Sequence, residues 1–317
     1  MLYKSPEYHR ITRFRPNGPV DGPGHYVYLR DNDTGDFWSV SWQPVGKPKE
    51  HYSCRHGLSY SKYLCDYSGI NAQQTLFAAI DDPVEIWDVR LRNDSGKKRN
   101  LSVFSYLEFS FHQIPMDNQN FQMSLYATGS RYEDGIIEED LYYEEDGFQF
   151  FTADFTPDGF DCCRDAFLGD YRTERNPRAV ETGKCSGSFR KGGNHCGALM
   201  KTITLEPGQE QRLLFLLGEG GLETGRTMRR NRKILGRAPE MSPGLHTQRG
   251  HEYRAEHLEP VSERDQRHVL PVHLLHRGGR PGGPGLPGHR TGRYDGGPCR
   301  SRGLQEAHCT AAEGPDL

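Results

Sequence analysis

Between His25 and Gly218 the apolar and aromatic residues fall in short runs, each cut off by residues that favour turns. His25-Tyr-Val-Tyr-Leu-Arg30 and Phe37-Trp-Ser-Val-Ser-Trp42 flank Asp31-Asn-Asp-Thr-Gly-Asp36, which predicts strand, turn, strand. Further strands are predicted over Gln74–Ile80, Val84–Arg92, Leu101–Phe109, Gly147–Thr152 and Leu213–Gly218. Val84–Arg92 alternates with a period of two, and breakers such as Asp-Asp-Pro and Asn-Asp-Ser-Gly separate the runs. Regular strands with frequent turns and little helix predict an all-β fold, a large antiparallel sandwich. The first stretch with helical character is basic, Glu223–Leu235, and reads as the start of a linker helix.

The pattern stops near residue 240. All 15 Phe and all 3 Trp lie before that point, whereas Leu245–Leu317 holds eight of the 14 His. That segment has too little apolar surface to offset the entropy of ordering it, so no fold is expected there. Function is therefore sought in the first part of the chain.

Charge and cysteine content narrow the classes. A formal net charge of -3 gives no electrostatic reason to propose nucleic acid or an anionic membrane as partner. No apolar run is long enough for a transmembrane helix, and the start Met1-Leu-Tyr-Lys-Ser-Pro6 lacks the features of a signal peptide, so the chain reads as cytoplasmic. The eight Cys form no C-x-x-C pair and no zinc spacing, which reads as reduced, half-buried thiols.

Four segments carry candidate chemistry. Asp31–Asp36 looks superficially like a calcium loop, but its Gly is fifth rather than sixth and Trp42 stands at the twelfth position. A hairpin turn is the better reading. Phe37–Val45 and Cys54–Tyr60 mix aromatic and hydrogen-bonding groups as sugar sites do, although Trp38 and Trp42, at even spacing on one strand, are better read as facing the core. His56 beside Arg55 is a candidate base, with a structural role the plainer reading. In Asp161–Gly169 an Arg164–Asp165 pair either braces a loop or presents Arg164 to a substrate hydroxyl or phosphate.

Taken together, these blocks resemble the N-terminal region of the cellobiose phosphorylases of glycoside hydrolase family 94. The residues that carry the resemblance are Arg10–Arg15, Asp36–Ser39, Trp42–Val45, Tyr52–Tyr60, Leu101–Phe109, Asn118–Phe121 and Arg164–Gly169, in collinear order. The resemblance implies a β-supersandwich over residues 1–222, linker helix from 223 to 243, and then an (α/α)6 barrel with the active site. It also implies a glycosyltransferase-type (hexosyltransferase) phosphorylase that splits a β-1,4-glucosyl linkage with inversion, giving α-glucose 1-phosphate. The implied partners are a β-linked disaccharide, inorganic phosphate as co-substrate and a second copy in a homodimer, with no metal or organic cofactor. Chitobiose or cellobionic acid are alternative substrates, and a stand-alone carbohydrate-binding sandwich is an alternative function.

Residues 244–317 do not continue the resemblance. Back-translated and read one base later, Glu256–Glu263 can give Asn-Ile-Trp-Asn-Gln-Tyr-Gln and Leu286–Gly292 can give Tyr-Arg-Asp-Thr-Gly, phrases like those of the family's barrel. His246–Tyr253 can give Thr-Pro-Arg-Gly-Gly-Met-Asn-Thr in the same frame. The expectation is an out-of-frame tail after a shift between about residues 225 and 245, and hence an inactive chain without a catalytic acid. Arg164 and Asp165 remain the candidate substrate-facing residues of the sandwich.

Overall fold

The computed structural model describes residues 3–5, 9–12, 24–57, 60–79, 82–109, 128–142 and 148–231. A two-stranded ribbon, β1 (Tyr3–Ser5) and β2 (His9–Arg10), precedes two larger antiparallel sheets. The small sheet is built from β3 (Tyr26–Asp31), β4 (Phe37–Ser39), β9 (Arg99–Tyr106), β13 (Gly159–Cys163) and β14 (His195–Leu205) in the order β13-β14-β9-β3-β4. The large sheet contains β5 (His51–His56), β6 (Tyr60–Tyr67), β7 (Ile70–Ala78), β8 (Val84–Asn93), β10 (Thr128–Glu133), β11 (Ile136–Leu141), β12 (Phe148–Ala153) and β15 (Glu210–Glu219). Its order is β10-β11-β12-β15-β8-β7-β6-β5.

Period-two patterning decides which side chains meet between the sheets. Val27 and Leu29, Val103, Trp87 with Val89 and Leu91, Phe151, and Phe215 with Leu217 are buried in one core with Trp38. Trp87 packs on Phe151 at 5.1 Å between ring centroids, an aromatic contact that adds to the area buried. The all-β antiparallel sandwich expected from the sequence is present.

Part of the outer face of each sheet is also apolar, and short helices cover those parts. α1 (Arg164–Leu168) and α2 (Arg178–Thr182) lay Phe167, Leu168, Ala179 and Val180 over Tyr28, Phe104 and Tyr106 of the small sheet. α3 (Leu222–Arg230) covers Ile136, Phe150, Leu214 and Leu216 of the large sheet with Leu222 and Met228. Gly225 is needed there, because a Cβ on it would come within 3.0 Å of Ile136 Cγ2. The Glu138 carboxylate accepts the Leu222 N–H at 2.6 Å, placing an anion at the positive end of α3.

The helix expected from residue 223 is therefore observed to Arg230, and residues 232–243 and the tail 244–317 lie outside the described residues. The strand expected over Phe37–Trp42 ends at Ser39. No described helix is long and apolar enough to cross a membrane.

Candidate functional site

The expected Arg164–Asp165 pairing is not formed. Arg164 opens α1, and its guanidinium spans two other carboxylates: Nε donates to Glu108 Oε1 at 2.8 Å and Nη2 to Glu174 Oε1 at 2.9 Å. Tyr106 OH donates to the same Glu108 oxygen at 2.8 Å, and Tyr28 OH donates to the Glu174 carbonyl at 2.8 Å. Burial works against the Arg164 charge, and the Glu108 and Glu174 carboxylates more than offset it. A guanidinium neutralised on two sides braces the loop after Gly169 against β9, which favours the bracing role over presentation to a ligand.

Asp165 points elsewhere. Its Oδ2 accepts from Arg190 Nη1 at 2.9 Å, and Arg190 also donates to Cys163 Sγ at 3.1 Å and to the Gly192 carbonyl at 2.9 Å. The two adjacent candidates thus serve two separate networks, because the first turn of a helix sends neighbouring side chains in different directions.

The aromatic block also divides. Trp38 is fully buried in the core, whereas Trp42, beyond the end of β4, is 42% exposed. Trp42 packs on Tyr52 at 5.8 Å between centroids. The Lys49 ammonium lies 5.7 Å from the Trp42 ring and 4.9 Å from the Tyr52 ring, and donates to the Ser41 carbonyl at 2.6 Å. Burial pulls the Lys49 ammonium down to about 8. His56 sits exposed on the edge strand β5, 3.2 Å from Cys54 Sγ through Nε2 and 2.9 Å from Ser61 Oγ through Nδ1. Among the described residues no carboxylate orients it, which is not the arrangement of a general base.

The Asp31–Asp36 segment is the β3–β4 hairpin turn, with Gly35 at φ +77°. Asp31 is buried and paired with Arg99 at 2.7 Å, so it serves the fold. Among the described residues no group of His, Cys, Asp and Glu could hold a metal ion, and the six described cysteines are free thiols. Five of these are buried, more deeply than the half-buried expectation, and burial pushes the Cys65 thiol up to about 11. The Asn118–Phe121 block lies outside the described residues.

One cluster was missed from the sequence. Thr128 Oγ1 lies 2.7 Å from His195 Nε2, and His195 Nδ1 lies 2.8 Å from Glu139 Oε2. The order hydroxyl, imidazole, carboxyl matches that of a nucleophile relay, but Thr128, His195 and Glu139 are all buried, and an attacking oxygen must be reachable. A signal was available. In Ile136-Ile-Glu-Glu-Asp-Leu141 a strand with one face in the core must bury one of two adjacent glutamates.

A cavity of about 320 Å³ opens where α3 meets β11, lined by Asp134, Ile136, Asp154, Arg226, Arg229 and Arg230. Arg226 is already paired with Glu223, Glu133 and Asp134, and Arg229 donates to the Asp134 and Phe155 carbonyls. Arg226 and Arg229 are thus committed to holding the helix.

Comparison with known proteins was informative for most of the described chain. The family model described as "Glycosyl hydrolase 94, supersandwich domain" matches residues 1–235. The chain is 55% identical over 224 residues to an N,N'-diacetylchitobiose phosphorylase of Vibrio proteolyticus, covering 69% of this chain and 28% of that protein. The corresponding protein of Vibrio furnissii gives the same identity and coverage. A solabiose phosphorylase of Paenibacillus borealis is 36% identical over 220 residues, covering 68% of this chain and 28% of that protein. The chain thus spans little more than a quarter of the length of these relatives.

Proposed function

Because the chain belongs to glycosyl hydrolase family 94 through its supersandwich domain, we propose that it is the N-terminal part of a phosphorylase for a β-linked disaccharide. The observation that carries this is the 55% identity, over 224 residues, to two N,N'-diacetylchitobiose phosphorylases. That likeness also moves the preferred substrate from cellobiose to an N-acetylated β-linked disaccharide. In such a reaction a carboxylic acid protonates the leaving oxygen while phosphate attacks the anomeric carbon from the opposite face. The acid and the phosphate site would lie in the part of a full-length enzyme that the matched segment does not span. The sandwich contributes a rigid platform, and Arg164 and Asp165 contribute by holding its loops.

The test is phosphate-dependent release of sugar 1-phosphate by the protein encoded once the shifted frame is restored beyond residue 235. N,N'-Diacetylchitobiose is expected to react, with cellobiose and cellobionic acid slower. Sugar release that does not require phosphate, or none from any of the three, would overturn the reading. Resequencing codons 220–317 and beyond tests the shifted frame. The family match through residue 235 supports a shift point beyond it.

A second reading, a carbohydrate-binding sandwich that acts alone, is favoured by the exposed and rigidly backed indole of Trp42. Trp38 and Trp87 are fully buried, so quenching of tryptophan emission by chito- or cello-oligosaccharide would report on Trp42. Unchanged emission at millimolar sugar would remove this reading.

A further inference from the structure

Glu139 lies on β11 of the large sheet, His195 opens β14 of the small sheet and Thr128 opens β10. The carboxyl and the imidazole are 2.8 Å apart, with side-chain exposures of 0% and 3%. Among the described residues no donor hydrogen is aligned with either Glu139 oxygen. Asp161, also fully buried, is different: it accepts from the backbone N–H and the hydroxyl of both Ser186 and Ser188. An ionised carboxylate out of water needs such donors, and Glu139 lacks them.

We infer that Thr128, His195 and Glu139 form a proton-dependent clasp between the two sheets, closed when the carboxyl is protonated and the imidazole neutral. The Nε2–H then donates to Thr128 Oγ1 and the neutral carboxyl lies beside an unprotonated Nδ1, so no net charge is buried. The charged surroundings agree with this assignment. Asp140 on the same strand opposes a second negative charge, and Arg190 opposes an imidazolium. The other titratable groups close enough to feel the Glu139 charge are the thiols of Cys162 and Cys196 and the hydroxyl of Tyr142. Burial, reinforced by Asp140, raises the Glu139 carboxyl well above its ordinary range, and burial with Arg190 lowers His195 to about 4.

The linkage has a definite sign. Between about pH 4.5 and pH 6.5 the folded chain has taken a proton at Glu139 and given one up at His195, so the pair contributes no slope. Above pH 6.5 only the Glu139 proton remains in the difference. The unfolding constant then rises about tenfold per pH unit until the folded carboxyl ionises. This makes the end of the sandwich at β10, β11 and β14 an alkaline-sensitive lock.

The experiment compares the full chain with Glu139→Gln by urea unfolding at pH values from 5 to 8. Glutamine keeps the shape and cannot ionise, so the ratio of the two unfolding constants should change tenfold per pH unit. A flat ratio overturns the proposal, and because a carboxylate–imidazolium pair holds the same single proton and can give the same slope, the state of the His195 ring separates the two. Whether or not Glu139→Gln folds, 15N chemical shifts of His195 in the unmodified chain read that state. A neutral Nε2–H ring at pH 6 supports the clasp, and an imidazolium overturns it.

Discussion

Arg99 Nη2 and Asp31 Oδ2 meet at 2.7 Å with both side chains almost wholly buried, joining the start of β9 to the end of β3. Arg99 Nη1 also donates to the Ser68 carbonyl at 2.5 Å, which ties the β6–β7 turn of the large sheet to the small one. Asp31 Oδ1 receives the Asp33 N–H at 2.9 Å, which shapes the hairpin turn. One ion pair thus organises a turn and a sheet-to-sheet contact.

Removing one partner should be costly, because the other stays buried and unpaired. Arg99→Met is expected to lower stability by roughly 3–5 kcal/mol. Adding Asp31→Asn should recover part of that loss, as urea unfolding of the two variants and their combination would measure.

The acid limb of stability follows from the same group. Burial pushes the Asp31 carboxyl up, but the Asp33 N–H and Arg99 outweigh it and hold the carboxyl below its ordinary value. Glu85 behaves likewise, with His25 at 2.8 Å and the Trp87 N–H at 2.7 Å overcoming burial. Carboxyls lowered in the folded chain stabilise it above about pH 5 and lose that contribution as pH falls through their folded values. Thermal unfolding should therefore weaken below about pH 4, and Asp31→Asn should make the decline shallower.

Trp38 and Trp42, four residues apart, should respond oppositely to truncation. Trp38→Ala opens a core cavity and is expected to cost about 3–5 kcal/mol. Trp42→Ala should stay within about 1 kcal/mol, since its ring is half in water. Chemical denaturation of both variants checks the contrast.

Arg164→Ala should leave Glu108 buried with only Tyr106 left of these two donors, and lower stability by about 2–4 kcal/mol. Lysine at the same place keeps the charge but cannot reach both Glu108 and Glu174 in the same fork. Faster proteolysis in the loop after Gly169 for both variants would support the brace. Wild-type cleavage rates in both would refute it.

Much of the architecture was legible along the chain. The runs at His25, Val84, Leu101 and Leu213 alternate or are continuously apolar, and each became a strand whose core face the pattern assigns. Two of the strands that escaped notice, β5 and β11, carry weak local signals. β5 is an exposed edge with His, Ser and Arg, and β11 is acidic through Glu138, Glu139 and Asp140. Their strand character comes from pairing with neighbours rather than from their own composition.

The sequence by itself determined the all-β class, the β3–β4 hairpin and the family, because periodicity, turn residues and collinear blocks are local properties of the chain. Tertiary structure decided the partners. Arg164 and Asp165 are adjacent, yet one meets Glu108 and Glu174 and the other meets Arg190. Thr128, Glu139 and His195 converge across as many as 67 positions, although no spacing in the sequence connects them. Which charges share a buried site depends on strand order and register across two sheets, and those are set by the whole core together.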